Sequence, residues 1–251
     1  MTTIGDTRSG SSDAAAPIPG FAVTGITPDQ HTALTAAMLI AMLAHDGANV
    51  AAMVPVETGL EDPCEPGSQG SLIRWAAGHL DDPRHVTPFA LEADRSAMHA
   101  ADASGTLLHG AAFDLAREAL CEGRSVLVVS DAVGVLDPIT PSLTMLDLMA
   151  RWELAVIVVE PVSRWTVGHV RLLASALLSR NLIIAGVMLY RQNEQQAIDD
   201  ESVQAMRETL SALLDRPVLM LPHVLSAHDR GELLRAGTVC GLHRLAPRRG
   251  A

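Results

Sequence analysis

Short continuous apolar runs alternate along the chain with stretches whose apolar residues recur at helical spacing. The runs at 21–25, 49–56, 125–129, 154–159, 182–189 and 218–221 read as strands. Segments 32–45, 71–78, 107–121, 144–152, 169–178 and 202–214 read as helices. Asp46-Gly47 ends the first helix, Pro55 marks the exit of the second strand, and the Gly-, Pro- and acid-rich stretch 57–70 reads as a loop. Strands without polar alternation belong in a sheet covered on both faces. The pattern therefore predicts an α/β fold: a doubly wound, mainly parallel sheet with helices on both faces. Ligands in this class sit beyond the carboxyl ends of the strands, so the informative positions follow Thr24, Val56, Val129, Val159 and Leu189.

Domain limits follow from composition. Residues 1–20 are rich in Ser, Thr, Gly, Ala and Pro with no apolar core of a secretory signal, and read as a flexible lead-in. Residues 21–242 form one predicted domain and 243–251 a tail. Hydrophobic residues make up 48% of the chain and aromatics 3%, so Ala, Leu and Val carry the core, as suits helices on a sheet. A net charge of −11 disfavours nucleic acid and anionic membranes as partners. The longest apolar stretch, 34–44, is too short to span a bilayer. Cys64, Cys121 and Cys240 are scattered, without C-x-x-C spacing, and read as small buried hydrophobes in a reducing compartment. The expected location is cytoplasmic.

All 18 basic residues are arginines. A phosphate-binding loop uses glycines to close backbone N–H groups around phosphates, a lysine to offset charge and a Ser/Thr to hold Mg²⁺. A chain without lysine cannot be a standard P-loop ATPase.

Several segments nevertheless match one family in order and spacing. Val23-Thr-Gly-Ile-Thr-Pro-Asp-Gln-His-Thr-Ala33 and Val54-Pro-Val-Glu-Thr-Gly59 resemble the V-T-G-T-D-T-x-V-G-K-T and K-P-V-x-T-G of dethiobiotin synthetases. Val133–Ile139 with Leu143–Leu148 resembles that family's G-G-x-x-x-P-[LI] and T-M-x-D-L. Thr166–Leu173 resembles its T-I-N-H-x-x-L-T, and 181–187 the strand after it. The resemblance covers about 21–222. It implies a P-loop NTPase-like fold and a homodimeric, Mg-ATP-dependent enzyme of biotin synthesis, which carboxylates a diamine and closes a ureido ring.

On the same match the reactive positions are altered. The family's Gly-Lys-Thr falls on His31, Thr32 and Ala33, its second lysine on Val54, and a third cationic position on Ser163. Its Ser-Asp pair falls on Gln69-Gly70 and its metal-binding Glu on Ser130, with Asp131 one place away. The base-recognising Asn falls on Tyr190, beside Arg191, and the Asn of T-I-N-H on Gly168. Genomic bias would replace Lys by Arg, not by Thr, Val and Ser. No catalytic residue and no metal ligand is therefore assigned.

The degenerate nucleotide loop comprises Thr24, Gly25, Thr27, Asp29, His31, Thr32 and Ala33. There Asp29 reads as a helix N-cap or early-turn acid and His31 as a solvated loop residue, in preference to a phosphate contact. Substrate-pocket candidates are Val54, Glu57, Thr58, Gly59, Ser130, Asp131 and Gly134; Thr58-Gly59 either keep a ligand pocket or merely shape a turn. An Asp131–Asp137 metal pair is disfavoured because Asp137-Pro138 reads as a turn. Trp165, Thr166 and His169 are interface candidates, and Trp165, where the family has a glycine, is placed to block a pocket. No G-x-S-x-G elbow supports a Ser-His-Asp hydrolase.

The expected function is a dethiobiotin-synthetase-like protein without ATP or Mg handling, acting as a binding or partner subunit. It would form a homodimer, or a heterodimer with an intact relative. The alternative is an active synthetase with substituted residues, and only then is Mg-ATP a cofactor. A third reading is a sensor holding a diamine or biotin-like ligand at Thr58-Gly59.

Overall fold

A computed structural model describes residues 18–78, 80–192 and 198–245. The lead-in through residue 17 and the tail from 246 lie outside the described residues.

Strand β1 (Gly20–Thr24) leads to helix α1 (Gln30–His45) and β2 (Val50–Met53). A side unit follows, made of β3 (Val56–Thr58), α2 (Gln69–Ala76), α3 (Pro83–Val86), β4 (Phe89–Leu91), α4 (Ala97–Ser104) and α5 (Gly110–Cys121). The chain returns as β5 (Val126–Ser130), the hairpin β6 (Pro138–Thr140) and β7 (Leu143–Thr144), and α6 (Met145–Arg151). It closes with β8 (Ala155–Pro161), α7 (Thr166–Ser179), β9 (Ile184–Tyr190), α8 (Asp200–Leu214), β10 (Val218–Met220) and α9 (Arg230–Cys240).

The main sheet runs β10-β9-β8-β1-β5-β2, and every neighbouring pair is parallel. Each residue of β1, β2 and β5 is buried, which is why these strands show no polar alternation. After β1 the chain builds one side, β2 and β5, then crosses to build β8, β9 and β10 on the other. The reversal puts a crevice at the carboxyl end of β1, the place where doubly wound sheets hold ligands. Gly25 is required there, since a Cβ would come within 2.5 Å of the Val159 carbonyl oxygen on β8.

Four expectations change. The strand expected over 49–56 is two strands. Val54 N–H donates to Val86 O (2.7 Å) and Pro55 has no N–H to give, so β3 leaves the main sheet and pairs with β4. The helix expected from 71 starts at Gln69, because Ser68 caps it by accepting from Ser71 N–H. The helix expected from 169 starts at Thr166, fixed by its hydroxyl hydrogen-bonding the Pro161 carbonyl (2.6 Å). The three cysteines are free but only half-buried.

Candidate functional site

Beside the carboxyl end of β1 the side chains of the loop and of α1 bond to one another. Asp29 caps α1: Oδ1 accepts from His31 N–H (2.8 Å), while Thr32 Oγ1 accepts from Asp29 N–H (3.3 Å), completing a capping box. Thr32 N–H and Ala33 N–H bond to the Asp29 carbonyl (3.0 and 3.4 Å) as the helix's first turn. This starts α1 at Gln30, before the positions where the sequence match places Gly-Lys-Thr. Asp29 Oδ2 accepts from the Tyr190 hydroxyl (2.7 Å) and lies 3.0 Å from His31 Nδ1. The His31 and Tyr190 rings stack with centroids 3.9 Å apart. His31 is thus a packed residue of α1, not the solvated loop residue expected from sequence.

Glu160, at the end of β8, enters the same loop. The residue is 1% exposed; its Oε1 accepts from Ile26 N–H (2.7 Å) and Oε2 lies 3.5 Å from His169 Nδ1. Burial pushes the Glu160 carboxyl above its ordinary value, against the pull of Ile26 N–H and His169. Burial acts the same way on Asp29, but hydrogen bonds from His31 and Tyr190 outweigh it and leave its carboxyl below the ordinary value. Burial and the adjacent Asp29 push the Tyr190 phenol far upward.

Two more carboxylates are buried at neighbouring strand ends. Asp131, just past β5, accepts from Thr24 Oγ1 (2.6 Å), Val133 N–H (2.9 Å) and Gly134 N–H (3.0 Å) and is fully buried. Burial raises its pKa, and Asp137 adds to the rise. Glu57, on β3, accepts from Gln69 N–H (2.6 Å) and Gly70 N–H (3.0 Å) at the start of α2, and burial raises it too. Ser130 Oγ donates to Gln69 Oε1 (3.2 Å), tying the two strand ends together.

Of the other candidates, Val54 is fully buried in the core, Thr27 is exposed in the loop, and Thr58 and Gly59 end β3 in a turn with Gly59 at φ +78°. Gly134 takes φ +111° within the turn that Asp131 organises. Ser163 and Thr166 hydrogen-bond each other at the start of α7 (Ser163 N to Thr166 Oγ1, 2.8 Å). Thr166 is buried, whereas Trp165 is 58% exposed and lies outside the lining of the cleft beside the start of α1. Glu160 was not legible as a site residue. The available signal was an acid directly after the apolar run 154–159.

Comparison with known proteins matches residues 20–224 to the family model described as an AAA domain. An ATP-dependent dethiobiotin synthetase of Anaeromyxobacter dehalogenans is 31% identical over 204 residues, 81% of this chain and 89% of that protein. One of Novosphingobium aromaticivorans is 33% identical over 211 residues, 79% and 92% of the two chains. The chain belongs to the dethiobiotin synthetase family. A solved plasmid partition protein of Borrelia burgdorferi aligns with TM-score 0.49 at 12% identity, over 90% of this chain and 99% of that one.

Within this dethiobiotin synthetase fold, several groups of the loop after β1 are already engaged with one another. The N–H groups of Ile26 and His31 already serve carboxylates, and those of Thr32 and Ala33 serve the helix. Thr32 is buried, and Ala33 has no hydroxyl for a metal. Among the described residues no three His, Cys, Asp or Glu side chains are grouped to hold a metal ion, and no helix is long and apolar enough to cross a membrane.

Asp29→Ala is expected to cost about 2 kcal/mol. An N-cap contributes about 1 kcal/mol, and the lost acceptor for buried Tyr190 adds about 1 kcal/mol. Because the folded pKa of Asp29 is lowered, its contribution is present above the ordinary carboxylate value and is lost as pH falls through the folded one. Urea denaturation at several pH values measures this. A loss under about 0.5 kcal/mol at neutral pH would exclude the capping role.

Proposed function

We propose that this member of the dethiobiotin synthetase family no longer handles ATP or Mg²⁺ and serves as a non-catalytic binding or partner subunit. The carrying observation is that Glu160 takes the Ile26 amide and Asp29 that of His31 in the loop and first turn after β1. An anion nest gains its affinity from free N–H donors and nearby cations; here the Ile26 and His31 donors serve carboxylates, which are negative charges beside the loop. Loss of the lysine positions at Thr32, Val54 and Ser163 points the same way. The partner is a second copy or an intact relative, meeting the surface that carries exposed Trp165, just before α7, and Leu172 on α7.

Calorimetric titration with Mg-ATP tests the reading. No heat of binding is expected up to about 1 mM, a Kd worth about 4 kcal/mol. Binding at or below that concentration, together with turnover of the family's diamine, would establish the active-enzyme alternative instead.

A further inference from the structure

The loop between β1 and α1 is held from two sides by two different carboxylates. On one side Glu160, at the end of β8, accepts from Ile26 N–H (2.7 Å), and its other oxygen lies 3.5 Å from His169 Nδ1 on α7. On the other side Asp29 caps α1 through His31 N–H (2.8 Å) and accepts from the Tyr190 hydroxyl (2.7 Å) at the end of β9. Among the described residues, Ile26, Thr27 and Pro28 make no hydrogen bond besides the one to Glu160. Ile26 is half-buried and Thr27 exposed, so that bond is the main tie of the stretch to β8.

The two holds differ in the group that completes them. Asp29 has the Tyr190 phenol, which keeps its proton well past neutrality, with His31 Nδ1 at 3.0 Å besides. Glu160 has the Ile26 amide and a half-exposed imidazole that gains and loses its charge. The other charged groups around Glu160 do not replace that imidazole. Asp29 opposes its ionisation from across the loop, the Tyr190 phenol is neutral, and Asp131 lies on the far side of β1 with its own donors. Arg164 stacks on Trp165 (4.6 Å), and Arg171 is exposed on α7. The carboxylates therefore respond to pH with opposite sign. The folded pKa of Glu160 is raised by burial, so its hold is complete below the ordinary carboxylate value and is lost as pH rises through the folded one. That of Asp29 is lowered, so its hold is present above the ordinary value and persists as pH rises.

We propose that Glu160 and His169 form a proton-operated latch: while they share a proton they hold Ile26 against β8, and its loss frees residues 26–28 while Asp29 keeps the start of α1 in place. This goes beyond the function proposed above and does not depend on it. The test is amide hydrogen exchange of the full chain, read by NMR as protection factors, which divide out the intrinsic pH dependence of exchange. From about pH 5 to about pH 8, the range in which imidazoles titrate, protection of the Ile26 amide is expected to fall by about tenfold. That of the His31 amide, held by Asp29, is expected to stay constant. His169→Arg places a cation that does not lose its proton at a half-exposed position, and should keep Ile26 protected throughout. Glu160→Gln keeps an acceptor for Ile26 N–H without a titrating charge, and should also give a flat profile. A parent in which Ile26 protection does not change, a parallel fall at Ile26 and His31, or a His169→Arg protein that follows the parent's fall would each overturn the proposal.

Discussion

Gly70→Asp, which restores a carboxylate where the dethiobiotin synthetase pattern has one, is expected to destabilise the fold by at least about 4 kcal/mol, combining overpacking with burial of an unpaired charge. Gly70 is buried in the first turn of α2, and its N–H serves Glu57. A Cβ there would collide with Thr87 Oγ1, on a fully buried residue, and would stand 3.3 Å from Cys64 Sγ and 3.4 Å from Glu57 Oε2. Thr87 is short and branched, so it cannot swing aside as a long side chain can. A second carboxylate would also sit beside Glu57, whose own ionisation is already opposed by burial. Gly70→Ala separates the two effects. It keeps the collision without the charge and should lose about 1–3 kcal/mol. Urea unfolding of both variants is the measurement, and an aspartate variant within about 1 kcal/mol of the parent would show that this corner yields. If the expectation holds, packing around Gly70 excludes an aspartate from the place where the family pattern has one.

How far the sequence disclosed this arrangement depends on the range of each interaction. β1 and β5 were legible because burial on both faces removes polar alternation, a property each strand carries in its own residues. The break between β2 and β3 was only half legible: Pro55 marked it, but nothing local says that Val56–Thr58 would pair with Phe89–Leu91. The short elements α3, β4 and α4 were missed because three to eight residues hold too little periodicity, and α9 because its apolar face is narrow, with Leu233, Ala236 and Gly237 its buried residues. The family motifs placed Gly25, Glu57 and Asp131 at strand ends. They did not reveal that Glu160 reaches Ile26 across 134 residues, or that Tyr190 reaches Asp29 across 161. Those two contacts are products of the fold.

The three carboxylates that burial pushes upward, Glu57, Asp131 and Glu160, share one cause. Each lies at or near the carboxyl end of a strand and accepts backbone N–H groups, joined by the Thr24 hydroxyl at Asp131 and by His169 beside Glu160. Their stabilisation therefore comes from hydrogen bonds made in spite of a desolvation cost.

Asp131 offers the clearest measurement of that balance. Asp131→Ala is expected to cost about 3–5 kcal/mol, since it strands the N–H groups of Val133 and Gly134 and removes the partner of Thr24 Oγ1, at about 1–3 kcal/mol for each buried group left unpaired. Asp131→Asn should behave in the opposite way. Its carbonyl oxygen can accept from both N–H groups and its amide can donate to Thr24, whose hydroxyl turns to Gly25 O at 3.5 Å. Because the folded pKa of Asp131 is raised, its stabilising contribution is complete below the ordinary carboxylate value and is lost as pH rises through the folded one. The asparagine variant does not titrate. It should match the parent within about 1 kcal/mol in acid and exceed it increasingly as pH rises, flattening that part of the stability profile. A variant that instead falls below the parent at neutral pH would mean that the ionised carboxylate is preferred, and with it an unrecognised cation at the end of β5.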